Sequence, residues 1–379
     1  MHFLLKSVLK SREDISGISR RSITREVEKL YDEQKELKKL DVQNYIHALK
    51  KLCKRPDMLC SVSHDIWSSK ASKSYMGLNL HIIDVTSKPW KMKVITLACT
   101  HHPSPHTSVN NLERAEQVFS DWDLDSSILL GATQDTTGNS INVFESKDNI
   151  EIIPCCAHTL QLFNKHSSDE VPIIKERSES MNKCATKLRG YPKHIQELFR
   201  LYQEIQIKEL MPRKICISRW DTREKVASRT IHLLPAYREI NPLVLFDKPD
   251  SRANWVAAFN IVEGNIDIIK EILPLLQLSA QWTQILSSKT QVTISLVRLA
   301  IRSLRSAVEK LQDKFEIYQN GSASQRYLAT KLEPFCHQSE RYINHYFGDD
   351  YYNYAWIASL KLLNFLTHAR FGVLKILKN

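Results

Sequence analysis

Glycine is scarce in this chain, at nine of 379 residues. So few leave little room for a glycine-rich nucleotide loop or a collagen-type repeat. No Cys-x-x-Cys followed by paired histidines occurs, which excludes a zinc finger of that pattern. Nor does any apolar run reach the length of a membrane span. Met1 to Leu9 is apolar in part, but Lys6, Lys10 and Arg12 interrupt the stretch, and no small-residue cleavage site follows. The eight cysteines lack the tight, even spacing of a secreted disulfide scaffold. A reducing, intracellular compartment is the expectation. No internal repeat or low-complexity tract is visible.

What the chain does have is segregated charge. The net charge is +11. Residues 1–55 hold 14 Lys/Arg against 8 Asp/Glu, and residues 175–229 hold 14 against 7. Between them, residues 56–174 hold 8 against 14. Two basic segments flanking an acidic block suit a polyanion partner beside an acidic site, or two solvated helical faces. The cluster Lys50-Lys51 with Lys54-Arg55 suits either nuclear import or an exposed helix face.

Periodicity divides the chain further. Residues 1–20 are polar with weak periodicity. Val27, Leu30, Tyr31, Leu37 and Leu40 form one helical stripe and Tyr45, Leu49 and Leu52 a second, stopped by Pro56. The period then changes to that of strands: Met58–Ser63 with Asp65 at its end, Tyr75–Ile83, and Trp90–Cys99, an antiparallel meander. Thr107 or Ser108 caps a helix running to Trp122, with Val109, Leu112, Ala115, Val118 and Phe119 inward. Ile128–Ala132 reads as a buried central strand, with Asp135 directly after it. A short helix near Asn139–Glu145, a strand at Glu151–Ile153 and a helix opened by Cys155 complete a unit of about five strands. From Lys175 the pattern is helical, with helices expected at Trp255–Ile272, Leu276–Ser287 and Thr293–Tyr318.

Four motifs stand at intervals along this pattern. They are His64-Asp65-Ile66-Trp67-Ser68-Ser69, Gln134-Asp135-Thr136-Thr137-Gly138-Asn139, Cys155-Cys156-Ala157-His158, and Ser218-Arg219-Trp220-Asp221-Thr222-Arg223. Alone, Cys155 and His158 supply only two of the four ligands a tetrahedral zinc needs, and each Asp alone suits a turn or a helix cap. Trp220 alone suits a half-buried position at a domain seam.

In this order and spacing the four blocks resemble the catalytic domain of hAT-superfamily DNA transposases, including their domesticated BED-zinc-finger relatives. The likeness covers about residues 22 to 300. It implies an α/β fold, an RNase H-like catalytic core interrupted by an all-α insertion domain. The expected layout is a basic helical region over 1–55, the core with its basic helices over 56–230, and an insertion-like helical region over 231–379. In the RNase H-like order the first and fourth strands are neighbours, which brings Asp65 and Asp135 together. By the resemblance these two carboxylates are ancestral catalytic residues and ligands for Mg2+ or Mn2+, in a two-metal cleavage and strand-transfer mechanism. Trp220 is expected to stack on a flipped base, and Arg219 and Arg223 to contact phosphates. Cys155 and His158 take a structural or DNA-proximal role, without structural zinc.

The chain also departs from the family pattern. His64 and Gln134 stand where the family has Thr or Asp neighbours. After Tyr354-Ala355-Trp356 the likeness fades, and neither Glu333 nor Glu340 lies where the third acidic residue belongs. The BED finger and the C-terminal catalytic and dimerisation part are expected to be missing. The resulting expectation is a nuclear, DNA-binding, transposase-derived protein without a membrane partner and without cleavage. The alternative is an active metal-dependent transposase.

Overall fold

The computed structural model describes residues 20–53, 59–69, 72–103, 105–135, 143–147, 150–215, 222–288, 293 and 296–348. The chain divides into two compact units between Ile153 and Pro154. The first holds a sheet and the second is helical.

The first unit begins with α1 (Arg20–Cys53), one unbroken helix of 34 residues. Two stripes suggested two helices, but no proline or glycine separates them, so nothing stops the first from running into the second. Only the C-terminal part packs. Val42, Ile46, Leu49 and Cys53 are buried, whereas Tyr31, Leu37 and Leu40 are exposed.

Strands β1 (Cys60–Ser68), β2 (Ser74–Asp84) and β3 (Lys91–His101) form the expected antiparallel meander. Helix α2 (Ser108–Asp121) then carries the chain to β4 (Leu129–Gln134), which pairs parallel to β1. β5 (Glu151–Pro154) adds an edge, and the order across the sheet is β3-β2-β1-β4-β5. A parallel neighbour needs a crossover, and α2 lies within that connection.

Alternation sorts the sheet into two faces. Cys60, Val62 and His64 of β1 and Met76, Leu78, Leu80 and Ile82 of β2 turn into one core with the buried residues of α1 and α2. Thr107 caps α2, its hydroxyl accepting from the Asn110 amide at 3.2 Å. The buried stripe of α2 is Asn111, Ala115, Val118 and Phe119; Val109, read as inward, falls off that stripe and is exposed. At the other end Trp122 is buried and its Nε1 donates to the Leu97 carbonyl at 2.9 Å, tying α2 to β3. The helix expected near Asn139–Glu145 lies mostly outside the described residues. Val143 and Phe144 are buried in bend geometry.

The second unit runs through α3 (Cys156–Asp169), α4 (Pro172–Leu188), α5 (Pro192–Glu204), α6 (Thr222–Glu239) and α7 (Pro242–Leu245). It continues with α8 (Pro249–Glu263), α9 (Ile266–Leu286), α10 (Val297–Gln319) and α11 (Ala323–Tyr346). Proline opens α4, α5, α7 and α8, where its missing N–H would have had no intrahelical partner. The single helix read over Trp255–Ile272 is two, separated at Gly264-Asn265. Trp255 anchors the core, its ring stacked at 5.9 Å on Phe259 and meeting Tyr237 edge-on at 5.7 Å. Residues of α3 and α4 share one apolar core with α6 through α11. That sharing places the division of the chain at Ile153, whereas the sequence reading drew a boundary at 230.

Candidate functional site

Asp65 and Asp135 each follow the end of the same strand ladder. The last pair of the parallel β1–β4 ladder is His64↔Gln134, and each partner is followed directly by an aspartate. Neighbouring parallel strands run about 5 Å apart, and residues in register share a face. The side chains of His64 and Gln134 are buried; alternation along β1 turns Asp65 to the opposite face, and Asp135 directly follows the last residue of β4. Asp65 is exposed and Asp135 half-buried. One detail differs from the reading of the sequence. Asp65 lies inside β1, which continues to Ser68 paired with β2. What ends at Asp65 is the ladder to β4.

The face that carries Asp65 is polar. Ser63 Oγ meets His81 Nε2 at 3.0 Å and accepts from Asn79 Nδ2 at 3.4 Å, and Thr96 donates to Asn79 at 2.8 Å. Two residues beyond Asp65, Trp67 stacks on Tyr75 with centroids 6.0 Å apart, and Tyr75 meets His101 edge-on at 5.9 Å. These three are register partners across β1, β2 and β3, so they form one aromatic row beside Asp65. The row was missed in the sequence. Its signal is the spacing itself, since residues 65 and 67 share a face of any strand.

Behind the sheet lies a buried polar layer. His64 is 2% exposed, and among the described residues neither ring nitrogen has a hydrogen-bond partner. Burial, with the nearby His102 adding like charge, holds its pKa down to about 4, so the ring is neutral at pH 7. His102 Nε2 meets Asn111 Oδ1 at 2.6 Å, and the His106 ring lies 4.9 Å from that of His102.

Carboxylates are oxygen donors of the kind Mg2+ or Mn2+ takes from a protein, with water and phosphate filling the other positions. They fit one such ion held by Asp65 and Asp135. Among the described residues no group of three or more His, Cys, Asp or Glu is placed to hold a metal.

The remaining candidates belong to the helical unit. Cys155 is the N-cap of α3 and makes no side-chain cap; its carbonyl accepts from the amide and hydroxyl of Thr159, both at 2.9 Å. Cys156, Thr159, Leu160 and Phe163 form the buried stripe, which leaves Cys155 and His158 half-buried at its flank. Arg223 donates to Asp169 at 2.7 Å with its side chain 11% exposed, so its charge is met inside the unit. Arg219 and Trp220 lie outside the described residues.

Residues 63–151 match a family model described as the ZBED1 RNase-like domain. The match takes in Asp65, Asp135 and the aromatic row, and closes where β5 begins. Cys155, His158, Arg219, Trp220 and Arg223 fall outside it. No curated protein matches the chain. The stretch that carries the two aspartates is therefore similar to the RNase-like domain of ZBED1, which supports a ZBED- and hAT-related, transposase-like protein.

Proposed function

We propose that this is an hAT transposase-derived, DNA-binding protein with an RNase H-like sheet unit, which holds DNA without cutting it. One observation carries the reading. Asp65 and Asp135 each directly follow the last register pair of the parallel β1–β4 ladder, His64↔Gln134, inside the segment similar to the ZBED1 RNase-like domain. The strand order and the crossover through α2 support the RNase H-like assignment. A site with two carboxylates supplies few of the oxygen ligands a divalent ion takes, so water must fill the remaining positions and binding is weak. Removing a ligand from a two-metal site weakens transition-state stabilisation, at about 1.4 kcal/mol per tenfold in rate.

DNA contact is assigned to the basic helical segment 175–229, where phosphate contacts supply affinity without sequence preference. Arg219 and Trp220 fall within that stretch of sequence and are assigned to DNA contact with it, and Cys155 and His158 to a structural or DNA-proximal role. The working compartment is the nucleus.

The test uses the full 379-residue chain with duplex and single-stranded oligonucleotides. Affinity is expected to fall steeply as salt rises, and incubation with Mg2+ or Mn2+ is expected to leave the DNA intact. Trp220→Ala is expected to weaken single-strand binding more than duplex binding. Cutting that disappears in Asp65→Ala and Asp135→Ala chains would establish the active transposase instead. Absence of DNA binding at low ionic strength would overturn the binding assignment.

A further inference from the structure

We infer that the helical unit contains a preformed pocket for a phosphate group, built by Arg189, Arg213, Lys214 and Arg229. The inference deepens the DNA-binding reading and rests on it only for the source of the phosphate. The pocket has a volume of about 320 Å³ and is lined by Arg189, Thr222, Arg229 and the segment from Met211 to Lys214. That is the lower end of the usual range for ligand cavities. Among the described residues that line it, four of seven are cationic and none is acidic.

The segment carrying Arg213 and Lys214 has no regular secondary structure, yet it is clamped from three helices. Tyr202 of α5 donates to the Leu210 carbonyl at 2.8 Å. Arg229 of α6 donates to the Met211 carbonyl at 2.5 Å, and Arg189, the C-cap of α4, to the Pro212 carbonyl at 3.2 Å. The Asn182 side chain of α4 accepts from the Ile215 amide at 2.8 Å. Each guanidinium has five N–H donors, so a single carbonyl contact fixes its position and leaves most of the fork for a ligand. A site held in place before binding loses less entropy when the ligand arrives.

Among the described residues the charges in this pocket meet no carboxylate, whereas other basic groups of the unit are paired with one: Lys193 with Asp247, Arg200 with Glu197, Arg223 with Asp169, Arg238 with Glu263 and Lys314 with Glu271. The crowding is felt by Arg229, whose pKa is pulled down first by burial and next by the like charge of Arg213. An anion would relieve that repulsion. Thr222, the first residue of the 18-residue helix α6, also lines the pocket, and so sets the positive end of a helix dipole beside it. A phosphate ester is the chemistry these groups share: several oxygen acceptors, at least one negative charge, and a match to guanidinium geometry.

The test pairs two double variants of the full chain. Arg213→Ala/Lys214→Ala removes the two exposed cations, which hold no backbone carbonyl. Lys270→Ala/Lys310→Ala removes two exposed cations elsewhere in the unit. Calorimetric titration with inorganic pyrophosphate at low ionic strength is expected to show binding that the first variant weakens tenfold or more and the second leaves unchanged. In fluorescence-anisotropy titrations with DNA, the first variant is expected to reduce the slope of log affinity against log salt by about 2, one for each lost phosphate contact.

Comparing 5′-phosphorylated with 5′-hydroxyl oligonucleotides separates the two sources. A gain from the 5′-phosphate assigns the pocket to a strand end, and equal binding assigns it to the internal backbone. Pyrophosphate binding that Arg213→Ala/Lys214→Ala does not change would overturn the pocket, whatever happens to DNA. Pyrophosphate binding lost in that variant while the parent chain binds no DNA would keep the pocket and sink the DNA reading. Equal loss of DNA affinity in both double variants would mean a diffuse basic surface, and would also overturn the pocket.

Discussion

Two glycines of the sheet unit have the same clearance and opposite consequences. A Cβ built on Gly77 would lie 2.9 Å from Trp67 Cζ3, and one built on Gly131 would lie 2.9 Å from the carbonyl oxygen of Glu151. Both distances are too short to keep, so something must move in each case. At Gly77 the obstacle is the edge of an indole that is 40% exposed. That ring can swing away, losing its stack on Tyr75, which is worth about 0.5–1.5 kcal/mol. Replacing glycine within a strand returns about 0.5–1 kcal/mol by restricting the unfolded chain. Gly77→Ala is therefore expected to change stability by no more than about 0.5 kcal/mol.

At Gly131 the obstacle is the backbone of β5, which moves only with its strand. Overpacking of this kind costs about 1–3 kcal/mol, and the same entropic return offsets a part. Gly131→Ala is expected to destabilise by about 1–2 kcal/mol, concentrated in β4 and β5. Hydrogen exchange followed by mass spectrometry on peptides covering β1–β2 and β4–β5 reads each site within this unit. Tryptophan fluorescence should also change in Gly77→Ala as the stack opens. Equal costs at the two sites, or a larger one at Gly77, would refute the distinction between a mobile ring and a fixed carbonyl.

Three other outcomes follow from single contacts. Thr107→Ala removes the cap of α2 and is expected to cost about 1 kcal/mol, read as faster exchange in the first turn of that helix. Trp255→Ala empties the aromatic centre of the helical unit and is expected to cost about 3–5 kcal/mol in urea unfolding. Asp84 is held below the usual carboxylate range, first by the Thr86 hydroxyl at 2.5 Å, then by the Thr86 amide and by Lys93. A lowered native pKa gives stability that is present above the unfolded value and lost as pH falls through the folded one. Asp84→Asn is thus expected to cost on the order of 1 kcal/mol at pH 7 and progressively less as pH falls through the lowered native pKa; a cost that does not shrink as pH falls would refute the charge-based account.

The sheet was legible because strands leave a short-range record. A period of two, a turn between runs, and an apolar segment long enough only for a central strand were enough to find the strands in chain order, whereas the neighbourhood of β1 and β4 came from the resemblance to an RNase H-like order. The position of Asp65 and Asp135, each directly after the last ladder pair, rests on register, which a parallel pair fixes by matching buried faces. Here His64 and Gln134 take that place although both are polar, so hydropathy gave no sign of the match. Helix boundaries were less legible. The exposed stripe of α1, with Tyr31, Leu37 and Leu40, has the spacing of a buried face and no core to fill. Periodicity records which residues could share a face, but tertiary contact decides whether that face is covered.

The basic helical segment shows the same limit for charge. By count, residues 175–229 have an excess of cations, and every Lys or Arg contributes alike to that excess. The fold then separates them. Arg200 lies beside carboxylates one helical turn away, at Glu197 and Glu204, a spacing that can be read in sequence. Arg223 reaches Asp169, 54 positions earlier, and Lys193 reaches Asp247, 54 positions later, and neither partner can be read without the structure. Arg189, Arg213, Lys214 and Arg229 keep their charge because the segment between α5 and α6 is tied down through backbone carbonyls. A carbonyl is present at every residue, so such tethers leave no trace in residue identity. Residues that looked equivalent as a basic run thus divide into charges met inside the protein and charges left to meet a phosphate. Arg223, which the motif singled out, falls in the first group, and the pocket falls in the second.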